Sequence, residues 1–461
     1  MKLFRFFTYS KSCFFLTAFL LCFQTHSVFS QTVNLSKTNQ YSVVNLQLRD
    51  AIELALQNHI LVRMAHEKIS ESEGLRMQAF SDLIPHISGA IYQQRVWHEN
   101  LAAMGLESAG VIGPFNDFDA RFMFTQKLLD MSAIYKSKAG YISFEIAKLE
   151  DEFAQQKVFL IVILSYLETL RTYNNLKAEM ADYSLARRLL SQAEHQHEVG
   201  MATGVDVARA KTRAAQEKLR LSQGKLFYNE AKLKLLRTTG LSYKTNIRLV
   251  DSLSFFEEHL SGVDDEVSLA KKNRIETRIF EKNISLGKYK LNEASLQRIP
   301  KLELTADYGR NGSEIDKTAI TGQGLIKASV PIFEGGLIQG QIRQAESNKK
   351  QAELAFDDIE EQIEEDVRLA VMRIKTSKEK ILSAKQVVVL AHKEFEMAKD
   401  RFAAGVEDNV AVLNSQAVLE NAYDNYIEAL AEYHTARVNL YSAIGQVDKF
   451  CLESLSEKEK K

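Results

Sequence analysis

His195-Gln196-His197 is the stretch whose residue types most invite metal chemistry. Residues i and i+2 do not face each other on a helix, and no neighbouring Cys or carboxylate set completes tetrahedral ligation. Gly322-x-Gly324 offers two glycines of a phosphate loop, without a third and without a helix signal after it. Glu360, Glu361, Glu364, Glu365 and Asp366 are dense in carboxylate, but around a helix they read as a solvated face. With no nucleophile–base pair and no ligand cluster, neither an enzyme nor a cofactor is expected. Whatever these residues do depends on the elements that carry them.

From Ile381 to Gly445 those elements are two helices with a heptad seam. Ile381, Ala384, Val388, Ala391, Phe395, Ala398 and Phe402 form the outbound arm. Val412, Ser415, Leu419, Ala422, Tyr426, Ala429, Tyr433, Ala436 and Leu440 form the return. Large and small side chains alternate, so knobs on one arm can meet holes on the other. Gly405 between the arms can adopt a left-handed turn and reverse the chain. The pattern predicts an antiparallel coiled-coil hairpin.

Subtracting 205 sends Gly405 to Gly200 and Gly445 to Gly240, and the seam to Val207, Ala210, Ala214, Leu221, Gly224, Tyr228, Ala231 and Leu235. The outbound arm falls on Leu176, Tyr183, Ala186, Leu190 and Ala193, with breaks at Glu179, His197 and Glu217. The chain is therefore an internal duplication with a period longer than any solenoid unit.

Four prolines, Pro85, Pro114, Pro300 and Pro331, confine themselves to two windows where the period changes to 2. Phe118, Ala120, Phe122 and Phe124 alternate with Asp117, Asp119, Arg121 and Thr125. Leu302, Leu304, Ala306 and Tyr308 alternate with Glu303, Thr305 and Asp307, and Ile326, Ala328 and Val330 with Lys327 and Ser329. Each window predicts two strands of about ten residues, the length that crosses a bilayer at a tilt, joined by loops near 98–115 and 311–320. Trp97 and Tyr308 fit an aromatic belt.

Met131–Glu198 is a 68-residue helical tract that would reach about 100 Å. Leu48–Asp82 and Val205–Thr239, 35 residues each, are expected to stack end to end beside it. Val158–Leu164 is too short to span a membrane and reads as the helix's buried crossing.

Residues 1–30 read as a secretory leader: Lys2, Arg5 and Lys11, an apolar Phe14–Phe23, and Val28-Phe29-Ser30 before Gln31. Leu20 and Leu21 precede Cys22 where a lipidation site would have small residues. Without the leader's three basic residues, 56 of the 59 Lys and Arg face 60 Asp and Glu, a net charge of −4. That is no nucleic-acid footprint. Only Cys451 would remain, so no intrachain disulfide is possible. The division expected is 1–30 leader, 31–240 first repeat (strand hairpin 84–130, tip near 200), and 241–265 linker. It continues with 266–446 second repeat (strand hairpin 300–333, tip near 405) and 447–461 charged tail.

The fold class predicted is mainly α with a transmembrane β-barrel segment, built from duplicated coiled-coil hairpins and four membrane strands. Four strands cannot close a barrel, and an open edge in lipid costs several kcal/mol per unpaired group. The chain must oligomerise to eight strands as a dimer or twelve as a trimer. The alternative, a soluble periplasmic coiled-coil adaptor or scaffold, explains the hairpins but not four amphipathic strands of membrane length.

These residues resemble the TolC-type outer-membrane efflux family over about 45–446. The resemblance rests on the duplication, on Ala55-x-x-Asn58 and Ala270-x-x-Asn273, and on Pro331-Ile332-Phe333-Glu334-Gly335-Gly336. It rests also on Val199-Gly200-Met201 before Val205-Asp206-Val207, and on Ala404-Gly405-Val406 before Val410-Ala411-Val412. It implies a homotrimer with one twelve-stranded barrel in the outer membrane, continued by a helical tunnel across the periplasm. This would be the passive exit duct of a tripartite pump or type I secretion system for small molecules or proteins. The tips Val199, Gly200, Met201, Ala404, Gly405 and Val406 would dock a periplasmic adaptor coupled to an inner-membrane transporter. Where members carry the carboxylates of the entrance, this chain has Ala411 and Asn414. Glu407 and Asp408, one turn earlier, would supply a ring of six carboxylates by threefold symmetry. Asp206, matching Ala411 in the first copy, is expected to bond a neighbouring helix and lock the tip.

Overall fold

A computed structural model of the chain describes residues 43–98, 112–258, 260–404, 406 and 409–450. The leader with Cys22, the strand loop 99–111, Gly405, Glu407, Asp408 and the tail from Cys451 lie outside the described residues.

The elements run β1 (Val43–Leu46), α1 (Leu48–Asn58), α2 (Ile60–Ser81), β2 (His86–His98), β3 (Ile112–Leu129), α3 (Met131–Glu198), α4 (Gly204–Thr239) and β4 (Asn246–Leu249). There follow α5 (Val263–Asn273), α6 (Ile275–Ser295), β5 (Lys301–Gly312), β6 (Thr318–Ser329), α7 (Leu337–Ala403) and α8 (Asn409–Ala443). The two long helices have 68 and 67 residues. Their starts are chemically marked. The Asp130 carboxylate accepts from Ala133 N at 3.1 Å at the head of α3. Before α7, Gly335 and Gly336 both take positive φ, so the chain turns sharply out of the sheet.

The heptad positions face inward in both copies. Ile381, Ala391, Phe395, Val412, Ala422, Tyr433, Ala436 and Leu440 are buried between α7 and α8, as are Leu176, Ala186, Ala193, Ala210, Ala214, Ala231 and Leu235 between α3 and α4. Two cores form midway along the long helices, and they repeat at the same 205-residue interval. Val158, Val162 and Leu235 lie in one, Ile363, Val367 and Leu440 in the other. The apolar Val158–Leu164 segment is thus core, with Val158, Val162 and Ile163 fully enclosed.

Several expectations need correcting. The helix expected over 48–82 is two helices, because His59 is extended (φ −67°, ψ 133°) and caps α2 by accepting from Leu61 N. The second repeat breaks in the same way at Arg274 (φ −64°, ψ 131°). The cause is tertiary. Gly240 ends α4 with φ +73°, and a Cβ there would come within 2.5 Å of Asn58 Cβ. Gly445 (φ +71°) presses on the Asn273–Arg274 backbone, where a Cβ would meet atoms at 3.0 Å. Each return helix thus ends on a glycine seated in the kink of its partner, behind the Ala55-x-x-Asn58 and Ala270-x-x-Asn273 motifs. Arg274 is held there by Glu276 at 2.5 Å and Asp366 at 2.8 Å, so Asp366 does more than face solvent.

The linker 241–265 carries a strand of its own. β4 pairs in parallel with β1, Val43 opposite Asn246 through Leu46 opposite Leu249. Tyr166 donates to Leu46 O at 3.0 Å and to Asp251 Oδ2 at 2.6 Å, fastening that small sheet to α3. Farther on, Tyr433 donates to Phe256 O at 2.9 Å, Tyr441 donates to Glu258 Oε1 at 3.0 Å, and Arg437 stacks on the Phe256 ring. The charged tail cannot begin at 447, since Val447 and Phe450 are buried in the first core. The strands are 12 to 18 residues long rather than about ten, and 311–312 and 318–320 belong to β5 and β6 instead of a loop.

Candidate functional site

The four long strands form one antiparallel sheet in the order β2-β3-β5-β6. One cross-strand row runs His86–Thr125–Thr305–Leu325. Because side chains alternate across a strand, this register sorts the sheet into two faces. Ile87, Ile91, Phe118, Phe122, Phe124, Leu302, Leu304, Tyr308, Ile320 and Ile326 share one face. Of these, Ile87, Ile91, Phe122, Tyr308, Ile320 and Ile326 are strongly exposed. Trp97 lies in β2, and its side chain is outside the described set.

The opposite face is polar and internally bonded. Arg121 pairs with Asp119 and reaches Asp307 at 3.1 Å, while Tyr92 donates to Asp119 at 3.3 Å. Asp117 accepts from Gln94 at 2.7 Å and from Asn311 at 3.0 Å. Gly322 and Gly324 sit within β6, which rules out a nucleotide loop there. A soluble sheet would cover its apolar face, whereas this one covers neither face among the described residues.

The helices below keep the lateral order of the strands. α2 packs on α3, α3 on α6 and α6 on α7. Gly140 lets α2 approach, a Cβ there meeting Ala79 Cβ at 3.0 Å, and Gly287 does the same for α7 at Lys349. Both the sheet and this helical layer therefore end in open edges, β2 with α2 on one side and β6 with α7 on the other.

At the first tip, Gly200 takes φ +76°, and Met201 N donates to Gln196 O at 2.7 Å, so the glycine closes the end of α3. Val199 and Met201 project, both strongly exposed. His197 Nδ1 lies 2.8 Å from Ala202 O in the turn, and His195 Nδ1 lies 3.5 Å from Glu198 in the last turn of α3. Among the described residues, Asp206 reaches no neighbouring helix. Its Oδ2 accepts from Thr203 N at 2.9 Å and from Thr203 Oγ1 at 2.6 Å, a capping box that lowers its pKa through those bonds.

At the second tip, Ala404 and Val406 are exposed. Ala411 and Asn414 line a groove with Leu390, Lys393, Met397 and Arg401. The first tip has a groove at the corresponding face of α3, lined by Arg188, Gln192 and Gln196, each 205 residues before Lys393, Met397 and Arg401.

The seam breaks at Glu179 and Glu217 mark a feature that heptad reasoning misses. Glu217 is only 1% exposed, and neither carboxylate oxygen has a hydrogen bond. It lies 3.1 Å from the Arg213 guanidinium, which also binds Glu420 on α8. Arg220 reaches Glu420 at 3.3 Å and Asp424 at 2.6 Å, and Gln416 donates to Glu420 at 2.8 Å. Glu179 folds over Gly224, where a Cβ would lie 1.6 Å from its Oε2.

Five carboxylates (Glu179, Asp182, Glu217, Glu420, Asp424) thus meet two guanidiniums (Arg213, Arg220) where α3, α4 and α8 converge. Burial, reinforced by the charges of Glu420 and Glu217, pushes the Asp182 carboxyl up to about 7. Burial raises Glu179 and Glu217 as well. Oxygens of Asp182, Glu217 and Glu420 lie within 4.8 Å of one another, an all-oxygen set of the kind hard cations use. The two guanidiniums already supply positive charge there, so the cluster reads as an ionic joint between the repeats.

The family model described as outer membrane efflux protein matches residues 51–241 and 267–446. The chain is similar to the outer membrane protein TolC of Escherichia coli, 23% identical over 421 residues, covering 88% of this chain and 84% of that protein. It is also similar to the alkaline protease secretion protein AprF of Pseudomonas aeruginosa, 21% identical over 414 residues, covering 88% and 86%. Among solved structures, the CmeC outer membrane channel of Campylobacter jejuni superposes with a TM-score of 0.76 at 19% identity, covering 87% of this chain and 86% of that one.

Proposed function

This chain belongs to the outer membrane efflux protein family, and from that premise we propose how its parts make a conduit. It is a channel of the outer membrane extending into the periplasm, serving efflux or type I secretion, and it is a passive duct rather than an enzyme. A soluble adaptor is not favoured.

The observation that carries the reading is the sheet with two open edges, one apolar face and one polar face. In a bilayer an unpaired edge is untenable, and the strands alternate in direction. β6 of one copy can therefore pair antiparallel with β2 of the next, a head-to-tail contact that closes into a ring. A dimer's eight strands would leave an interior filled by side chains, whereas twelve leave a lumen. We take the homotrimer, whose number follows the family resemblance. The apolar face meets outer-membrane lipid. The face bearing Asp117, Asp119, Arg121 and Asp307 meets water in the lumen, and the helices prolong it as the tunnel.

At the periplasmic end, Val199, Gly200, Met201, Ala404, Gly405 and Val406 form the docking surface for an adaptor protein joined to an inner-membrane transporter. Glu407 and Asp408 make the acidic entrance ring beside Asn414, and Asp206 stiffens the first tip. Exposed apolar tips at the end of a polar bundle support docking. The cargo passes without tight binding, so its identity rests with the transporter.

Single-channel recording in planar bilayers tests this. The detergent-extracted protein should open cation-preferring pores, and protein that inserts without conducting would overturn the duct.

A further inference from the structure

Two apolar patches flank the open edges at one end of the sheet. After β6, Ile332 is 95% exposed and Phe333 87%, with Leu337 beside them. Before β2, Met77 is 64% and Phe80 50% exposed, and Ile84 also projects.

Both patches occupy the strand-to-helix junction. Leu129 is opposite Leu302, which is opposite Ala328. Lys127 reaches Asp82 at 2.8 Å, which fixes the end of α2 at the same level. The β6 junction therefore lies at the same end of the sheet as the α2–β2 junction, on the opposite edge. No element of the described chain covers either patch. Side chains this exposed, next to a strand edge that also lacks a partner, are the anatomy of one interface cut in half.

We infer that Ile332, Phe333 and Leu337 of one copy seat against Met77, Phe80 and Ile84 of the next, forming an apolar collar beneath the barrel. The inference rests on the ring of copies proposed above and adds the contact that fastens α7 of one copy to α2 of its neighbour. A head-to-tail ring brings the β6 edge to the β2 edge, and whatever follows β6 must then face whatever precedes β2. Pro331 and the two left-handed glycines, Gly335 and Gly336, hold Ile332-Phe333 outside the helix, where both are almost fully exposed. A lipid contact is the competing fate of such residues, but it would leave the α2 patch without an occupant in the assembled ring.

The test places p-benzoylphenylalanine at Phe333 in full-length protein co-assembled from isotopically light and heavy chains. After irradiation in detergent–lipid micelles, crosslinked light–heavy peptides joining position 333 to residues 77–84 are expected. Adducts on lipid, or crosslinks only within one chain, in protein that still weighs three chains would overturn the collar and leave the channel reading standing. Protein of one chain's mass would overturn the ring and the collar together. Should the probe hinder assembly, the reciprocal Phe80→p-benzoylphenylalanine must report the same pairing. Phe333→Ser should also lower the temperature at which the trimer dissociates without changing helix content. An unchanged dissociation temperature would count against the collar.

Discussion

Replacing Asp182 by Asn tests the ionic joint between the repeats. Its carboxyl is raised from 3.8 to about 7, by burial first and then by Glu420 and Glu217. Such a rise is worth about 4 kcal/mol for a fully enclosed group, and partial exposure of Asp182 roughly halves that to about 2 kcal/mol. For an acid raised on folding, the stabilising contribution is complete below 3.8 and disappears as pH rises through about 7. The native joint should therefore loosen between about pH 4 and 7. Amide hydrogen exchange over residues 179–186, 213–224 and 416–424 in the full-length protein, corrected for the intrinsic pH effect, reads this directly. Protection should fall by about thirty-fold, the equivalent of about 2 kcal/mol, while Asp182→Asn keeps most of it at pH 8. Glu179 and Glu217, also raised, leave the variant a residual slope. Identical pH dependence in the two proteins would refute the reasoning.

Gly240→Ala combines a left-handed backbone, about 1–2 kcal/mol, with displacement of Asn58, whereas Gly335→Ala has open space around it. Denaturant midpoints should therefore fall more for Gly240→Ala. Ile91→Arg places a cation on the apolar sheet face and should cost roughly 2–4 kcal/mol near mid-bilayer, depleting the protein from outer-membrane fractions. Thr321→Arg, on the polar face, should assemble normally and shift pore selectivity towards anions. Glu407→Gln with Asp408→Asn should abolish block by multivalent cations in planar bilayers, and unchanged block would exclude these residues as the entrance filter. Gly200→Trp should stop export with the trimer intact if the first tip docks a partner, while loss of the trimer would reduce Gly200 to a cap.

The long-range periodicity of this chain is legible because a coiled coil repeats one physical demand many times. The inward residues of both hairpins follow from the seam, and Met131–Glu198 from a proline-free tract rich in helix formers. Features decided by a single tertiary contact are not legible in the same way. The kinks at His59 and Arg274 carry no proline or glycine of their own. They exist because Gly240 and Gly445, far along the chain, press into them. β1 and β4, four residues each, are too short to show a period. Val447 and Phe450 look like the start of a tail until the first core is seen to need them. In the ionic joint, Glu179 and Glu217 register only as faults in a hydrophobic seam. The available signal was Arg213 and Arg220 at i−4 and i+3 of Glu217, together with Glu420 and Asp424 on the other return helix. A heptad reading considers one partner helix, and here a third one, α8, brings the carboxylates Glu420 and Asp424 that share Arg213 and Arg220 with Glu217.

The claim on which the rest depends is that open-edged copies close into one barrel. Native mass measurement of the full-length protein, extracted gently from outer membranes into detergent, tests it most directly. Three chains per particle is the predicted result. A stable monomer, which would leave β2 and β6 unpaired in lipid, or a dimer would contradict it.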